Sequence, residues 1–275
     1  MNYDQAFGGA GAASAKRLTT LVLVTRSFTV PAWATKVTVP FHASGGSGAW
    51  ANTASTASAT GGNSGPWGQV TIDVEAGKTL TVNLGAGGVQ PAANNNGNQG
   101  SSSTLVYDGL TVMTLQGGEG GIYAASGLVN PATPAATVTG ADFWVPGLPA
   151  WQANNSASGG AASNIFNLLS SELTMTPQQA GRSVGARSNT PATTPLMGLI
   201  HQSIPMLFFS TTVGHPGVGG DGSGVVGLFA GGFGNQGTGA GTTGGQGGGG
   251  GGGVRVAASI NNAGGAALAY VVFSE

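Results

Sequence analysis

Gly244-Gly245-Gln246-Gly247 and the unbroken glycines through Gly253 run directly into Val254, Val256, Ala258 and Ile260, which alternate as a strand does. A linker seldom abuts a core element so closely. The tract Gly231 to Gly253 is therefore expected to be ordered and buried. Glycine makes up 53 of the 275 residues, where about 7% is ordinary. In a helix or strand each one costs roughly 0.5–1 kcal/mol relative to Ala, against a total stability of about 5–15 kcal/mol. Such a composition makes sense where backbones must touch. Extended glycine segments in a polyproline-II-like helix make no internal hydrogen bonds. Once buried, they must bond sideways to neighbouring segments. Several packed side by side form a core without side chains. Gly45 to Gly48, Gly85-Ala86-Gly87-Gly88, Gly117-Gly118-Glu119-Gly120-Gly121 and Gly217 through Gly253 are the blocks available for it.

Around these blocks the chain reads as strands. Phe28, Val30 and Ala32 precede an alternating Lys36-Val37-Thr38-Val39. Val70, Ile72 and Val74 alternate, a turn follows at Ala76-Gly77-Lys78, and Leu80, Val82 and Leu84 alternate again, which predicts a β-hairpin. A second hairpin is expected from Thr104–Tyr107 and Leu110–Leu115 about Asp108-Gly109, a strong tight-turn pair. A third joins Val254–Ile260 to Ala266–Phe273 through Asn261–Gly265. Ser163 caps the only plausible helix, through Leu173. The fold class is mainly β: hairpins with packed glycine tracts, and at most one short helix. Four parts are expected: a docking segment at 1–27, a glycine-rich β domain at 28–121, a loop-rich insertion at 122–216, and a completing tract and hairpin at 217–275.

Composition excludes several functions. Lys and Arg number 8 and Asp and Glu 9, for a net charge of −1, so no basic surface for nucleic acid is expected. There is no cysteine, which removes disulfides and thiolate-bound metals. The glycines keep no period of three, unlike collagen. No apolar run approaches a membrane span, and Met1-Asn2-Tyr3-Asp4 lacks a cationic leader; membrane insertion and a signal peptide are not expected. Gly77-Lys78-Thr79 looks like the end of a phosphate loop, but position 72 is Ile where the motif needs Gly. His42, His201 and His215 are far apart; a metal would need symmetry-related copies, and no metal or cofactor is expected. Few charges and a mean hydropathy of +0.13 predict self-association, as a trimer.

The segment 122–216 concentrates large side chains. Because a glycine core offers little specificity, recognition falls to such loops. Asp142 beside Phe143-Trp144 suits a sugar, whose C–H faces stack on rings while a carboxylate takes hydroxyls. Tyr123, Asp142, Phe143, Trp144 and Trp151 are the candidate receptor contacts. The competing reading packs these aromatics inside the insertion or against the core.

Four ordered stretches carry a family resemblance. They are Phe28-Thr29-Val30-Pro31-Ala32 with Lys36-Val37-Thr38-Val39; Val74-Glu75-Ala76-Gly77-Lys78 through Gly88; Asn96-Gly97-Asn98-Gln99-Gly100-Ser101-Ser102-Ser103; and Gly117-Gly118-Glu119-Gly120-Gly121. In order and spacing they resemble the glycine-rich domain of bacteriophage tail-tip and tail-fibre proteins. The chain departs from the pattern at Pro40-Phe41-His42-Ala43-Ser44, in place of a glycine run, and at the insertion 122–216. The resemblance implies a virion protein made in the host cytoplasm. Its partners would be other tail proteins and a host surface receptor, either a polysaccharide or an outer-membrane protein. It implies adhesion and no enzymatic activity. A purely structural virion protein is the first alternative, and a polysaccharide depolymerase, which needs paired carboxylates, the second.

Overall fold

The computed structural model describes residues 16–51, 57–126, 130, 132–133, 137–147, 235–236, 253–254 and 262–275. Among them are strands and no helix. In chain order these are β1 (Arg17–Val22), β2 (Arg26–Thr29), β3 (Lys36–His42), β4 (Trp50–Ala51) and β5 (Ser58–Ala59). Next come β6 (Trp67–Asp73), β7 (Thr79–Asn83), β8 (Ser103–Tyr107), β9 (Leu110–Leu115) and β10 (Tyr123–Ala124). The last are β11 (Val138–Thr139), β12 (Phe143–Val145), β13 (Asn235–Gln236), β14 (Gly253–Val254) and β15 (Leu268–Ser274).

Two five-stranded antiparallel sheets form a sandwich. The first has the order β1-β15-β3-β6-β12 and the second β11-β9-β8-β7-β2. Alternation explains the core between them. Val37, Val39 and Phe41 of β3 and Val271 and Phe273 of β15 face Leu80, Val82, Leu105, Met113 and Leu115 of the second sheet. Each fully buried side chain of this kind contributes about 1.5–3 kcal/mol. Phe28 meets Phe273 edge-on across the sandwich, with ring centroids 6.4 Å apart.

The Asp108-Gly109 hairpin forms as expected: Tyr107 pairs with Leu110, and both turn residues have positive φ, 47° and 81°. The hairpin expected from Val70–Val74 and Leu80–Leu84 does not form. β6 lies between β3 and β12, while β7 lies between β2 and β8. The connection through Gly77, at φ 80°, crosses from one sheet to the other. A crossing and a hairpin bury the same alternating residues, one from opposite sides of a core and the other from one side, so alternation cannot separate them. The same connection settles Gly77-Lys78-Thr79 as a turn, with Lys78 Nζ on Asp108 Oδ2 at 2.8 Å. β15 is flanked by β1 and β3, and Val254 pairs with β4 and β13; residues 255–261 of the third expected hairpin lie outside the described residues. Residues 262–265, expected within a turn, form no turn. Strands also begin earlier than expected, with β1 and the start of β2 inside the segment 1–27. The helix expected after Ser163 lies outside the described residues.

Below the sandwich the chain makes a second kind of core. The segment 43–49 leaves β3 and is surrounded by 57–66, 85–88, 95–101, 116–122 and 262–267. Gly45 N–H donates to Gly265 O, Gly46 to Asn63 O and Ser47 to Asn98 O. Gly48 then returns to Asn262 O, Ala49 to Thr60 O and Trp50 to Asn95 O, all at 2.9–3.1 Å. Each step turns the donor to the next neighbour, and every third residue returns to the same one. That is the threefold screw of an extended polyproline-II-like chain. The neighbours bond one another too: Gly264 N to Gly88 O, Ser101 N to Ala86 O, Gly97 N to Gly121 O and Asn63 N to Glu119 O. The contacts are too close for side chains. A Cβ at Gly46 would fall on the Glu119 carbonyl, one at Gly62 on the Gly46 carbonyl, and one at Gly120 on the Gly97 carbonyl. The packed glycine tracts are thus present in these segments. Most of Gly231 to Gly253 lies outside the described residues.

Candidate functional site

The link between β11 and β12 carries the chain from the second sheet back to the first through Gly140, at φ 75°. Asp142 follows it. Its N–H donates to Gln69 O at 2.9 Å, and its Oδ2 accepts Thr71 N–H at 2.7 Å. The carboxylate continues the ladder one step past the end of β12. It is exposed yet engaged with the sheet edge.

Phe143 and Trp144 are adjacent in an edge strand, so period two sends them to opposite faces. Phe143 pairs with Gln69 and lies on the outer face, away from the sandwich core. Its ring meets Trp67 edge-on at 5.9 Å between centroids, and it remains 49% exposed. Trp144 pairs with Gly68 on the inner face and is 39% exposed at the rim of the sandwich. The two rings therefore make no common platform. Tyr123 sits in a different, two-stranded sheet, opposite Ala59, and packs on the small alanine cluster of Ala49, Ala51, Ala57 and Ala59. Its N–H donates to Asn96 Oδ1 at 2.8 Å. Trp151 lies outside the described residues.

What Phe143 does join is a row across the first sheet. Leu21 pairs with Tyr270, Pro40 with Gln69, and Gln69 with Phe143. The β15–β3 register, Ala269 on Phe41 and Val272 on Thr38, puts Tyr270 beside Pro40. Pro40 has no N–H to give, and the ladder to β15 skips it. On one side of this row the outer face is fully buried at His42, Trp67 and Leu268. On the other it ends in exposed charge, with Lys36 and Asp73 paired at 3.1 Å. The row lies between these extremes. Burial pushes the Tyr270 phenol up to about 12, so it stays a neutral hydroxyl at ordinary pH. Gln69 Oε1 is buried and has no hydrogen-bond partner. Leaving a buried acceptor unmet costs about 1–3 kcal/mol. An amide acceptor beside a braced phenylalanine, in one row with a tyrosine beyond Pro40, is suited to a ligand with hydroxyls and an apolar face.

Gln69 and Tyr270 were not among the sequence candidates. Trp67 and Gln69 share one face of a strand by period two, which is a signal. That the face is neither core nor plain surface is not. Among the described residues no group of three His, Asp or Glu side chains could hold a metal. His42 is buried, with Nδ1 2.9 Å from Ala43 O. His201 and His215 lie outside the described residues.

Residues 19–272 match the family model described as a glycine-rich domain. No curated protein matches the chain.

Proposed function

The chain belongs to the glycine-rich domain family, and from that premise we propose that it is a bacteriophage virion protein of the tail tip or tail fibre, binding the host cell surface as an adhesin. One observation carries the choice of surface: Phe143, exposed and braced on Trp67, stands next to the orphaned acceptor of Gln69. Aromatic anchors supply much of the energy of recognition, and an unmet buried acceptor gains most from a ligand that meets it. The glycine bundle supports the reading as a rigid scaffold with few side chains of its own. The phage assignment rests on the four ordered stretches of the sequence. The receptor is a host polysaccharide or an outer-membrane protein.

The test is binding of the purified full chain to bacterial cells across a host panel, repeated with Phe143→Ala and Gln69→Ala. Both variants should keep the wild-type far-UV spectrum and lose cell binding by about tenfold or more. Retention of full binding by both would make the row structural.

A structural virion protein is the second reading. It is favoured by the exposed apolar side chains of Leu18, Leu23 and Val24 on and just after the edge strand β1. They suit docking to a tail component or to copies of this chain, with a trimer the proposed assembly. On that reading the protein associates through β1 and ignores host cells. Light scattering of Leu18→Lys beside wild type separates assembly from adhesion.

A further inference from the structure

Asn96-Gly97 is the only Asn–Gly pair in the chain, and the glycine bundle imposes both halves of it. Gly97 has no room for a side chain: a Cβ there would fall on the Ser47 carbonyl and crowd Gly121 N. Its N–H donates to Gly121 O at 2.8 Å. Asn96 is exposed, and its Oδ1 accepts the N–H of Tyr123, the first residue of β10, at 2.8 Å. Asn98 is tied to the central segment: its carbonyl accepts Ser47 N–H at 2.9 Å, and its N–H donates to Ser47 Oγ at 2.7 Å. Close packing therefore sets a side-chain amide, open to water, next to a backbone nitrogen that no Cβ shields.

That pair can react with water as the only co-reactant. Gly97 N gives up its proton and bonds to Asn96 Cγ. The Cγ–Nδ2 bond breaks, and Nδ2 takes up a proton and leaves as ammonia. A five-membered succinimide remains. Water then opens the ring at Cγ, giving aspartate, or at the Asn96 main-chain carbonyl, giving isoaspartate. In isoaspartate the main chain runs through Cβ and Cγ and is one atom longer. The folded bundle blocks the first step. Gly97 N cannot lose its proton and turn toward Cγ while it donates to Gly121 O, and the Tyr123 amide holds the side chain in place. The two products also differ in what they allow. Aspartate keeps an oxygen for Tyr123 N–H and a backbone of the same length. Isoaspartate puts an extra atom into a threefold chain that rises about 3.1 Å per residue. Asn95 O and Asn98 O, on either side of it, then cannot both meet Trp50 N and Ser47 N.

We propose that Asn96–Gly97 is a self-modification site, closed while 95–101 is packed and reactive when it lifts, and that conversion to isoaspartate makes the opening permanent. The site is separate from the Phe143 row, and its chemistry is independent of the adhesin reading. The test holds the full chain in mildly alkaline buffer, native and in urea, and follows the pair by peptide mapping with an isoaspartate-specific methyltransferase as the label. In urea the pair should convert at least about a hundredfold faster than in the native chain, because reaction then needs no local opening. Urea too dilute to unfold the protein should raise the native rate in step with amide exchange at Gly97, and Gly46→Ala should raise it further. The isoaspartate form, separated by ion exchange, should lose amide protection from Gly45 to Ala49, while Asn96→Asp, the control for charge, keeps it. Four outcomes overturn the proposal: the native chain converts as fast as the unfolded one, conversion does not follow exchange at Gly97, the isoaspartate form keeps wild-type protection, or Asn96→Asp loses it too. Should Gly46→Ala fail to fold, the dilute-urea series decides.

Discussion

The sandwich and the glycine bundle are two answers to the same demand, that a buried backbone keep its hydrogen bonds. In the sandwich, bonds run along antiparallel ladders and side chains fill the space between sheets. Val37, Val39, Phe41, Leu80 and Leu105 are all fully buried there. In the bundle, bonds leave each chain in three directions, and the backbones themselves fill the space. Period two rules the first region and period three the second. Substitutions therefore act oppositely. The sandwich is damaged by removing atoms, the bundle by adding them.

The largest expected effect is in the bundle. Gly46→Ala places a Cβ on the Glu119 carbonyl, where no flexible side chain can give way. It should cost about 4 kcal/mol or more, at the severe end of single substitutions. Denaturant unfolding measures the loss, and amide exchange locates it: Gly45 to Ala49 should lose protection first if the bundle opens as its own unit. Gly77→Ala is the control. Nothing lies within 4 Å of its Cβ, and only its positive φ resists the change, at about 1 kcal/mol. Equal costs at the two glycines would break the comparison.

Next is the sandwich. Leu105→Ala empties a fully buried site and should cost about 3 kcal/mol, within the usual range for such deletions. Exchange protection should fall at Val39, Val82 and Val271 while the bundle amides keep theirs longer. Simultaneous loss everywhere would mean that the two cores unfold as one.

The smallest effect is at Glu119, whose Oε1 accepts Gln99 Nε2 at 2.9 Å and Gln116 Nε2 at 3.2 Å. Its folded carboxyl sits above its unfolded value, so the native state holds the proton more tightly. The stability this group contributes is present in full below the unfolded pKa and is lost as pH rises through the raised folded value. Glu119→Gln should remove that slope and leave the protein slightly more stable at neutral pH, within about 0.5 kcal/mol. A thermal-unfolding series from pH 3 to 8 checks it. A variant less stable at pH 7 than wild type would show that the carboxylate supports the bundle rather than burdening it.

Much of the sandwich was legible residue by residue. Val37 and Val39, Val70, Leu80 and Val82, and Val271 and Phe273 alternate in sequence and all face the core. The Asp108-Gly109 turn was legible because its left-handed φ values demand those residue types. Which strands pair was not. Val70–Val74 and Leu80–Leu84 carry the same pattern whether they share a sheet or face each other across one. At the site, Phe143 was legible as an exposed aromatic, but its neighbour Gln69, and Tyr270 three strands along the same row, come from strands distant in sequence. Asp142 reads as a sugar ligand in isolation, yet it is engaged by the Thr71 amide.

Composition by itself determined that backbones would pack without side chains, because a chain this rich in glycine has little else with which to fill a core. Alternation by itself determined which strand residues face inward, because the pleat allows only two faces. The tertiary structure alone decided that β6 and β7 belong to opposite sheets and that Asn262 and Gly265 accept from the 43–49 segment. It also decided that Glu119 faces two amides and, among the described residues, no cation. Those facts depend on which segments meet. Hydrogen-bonded backbone is alike at every residue, so the sequence says that a partner is needed without saying which one it will be.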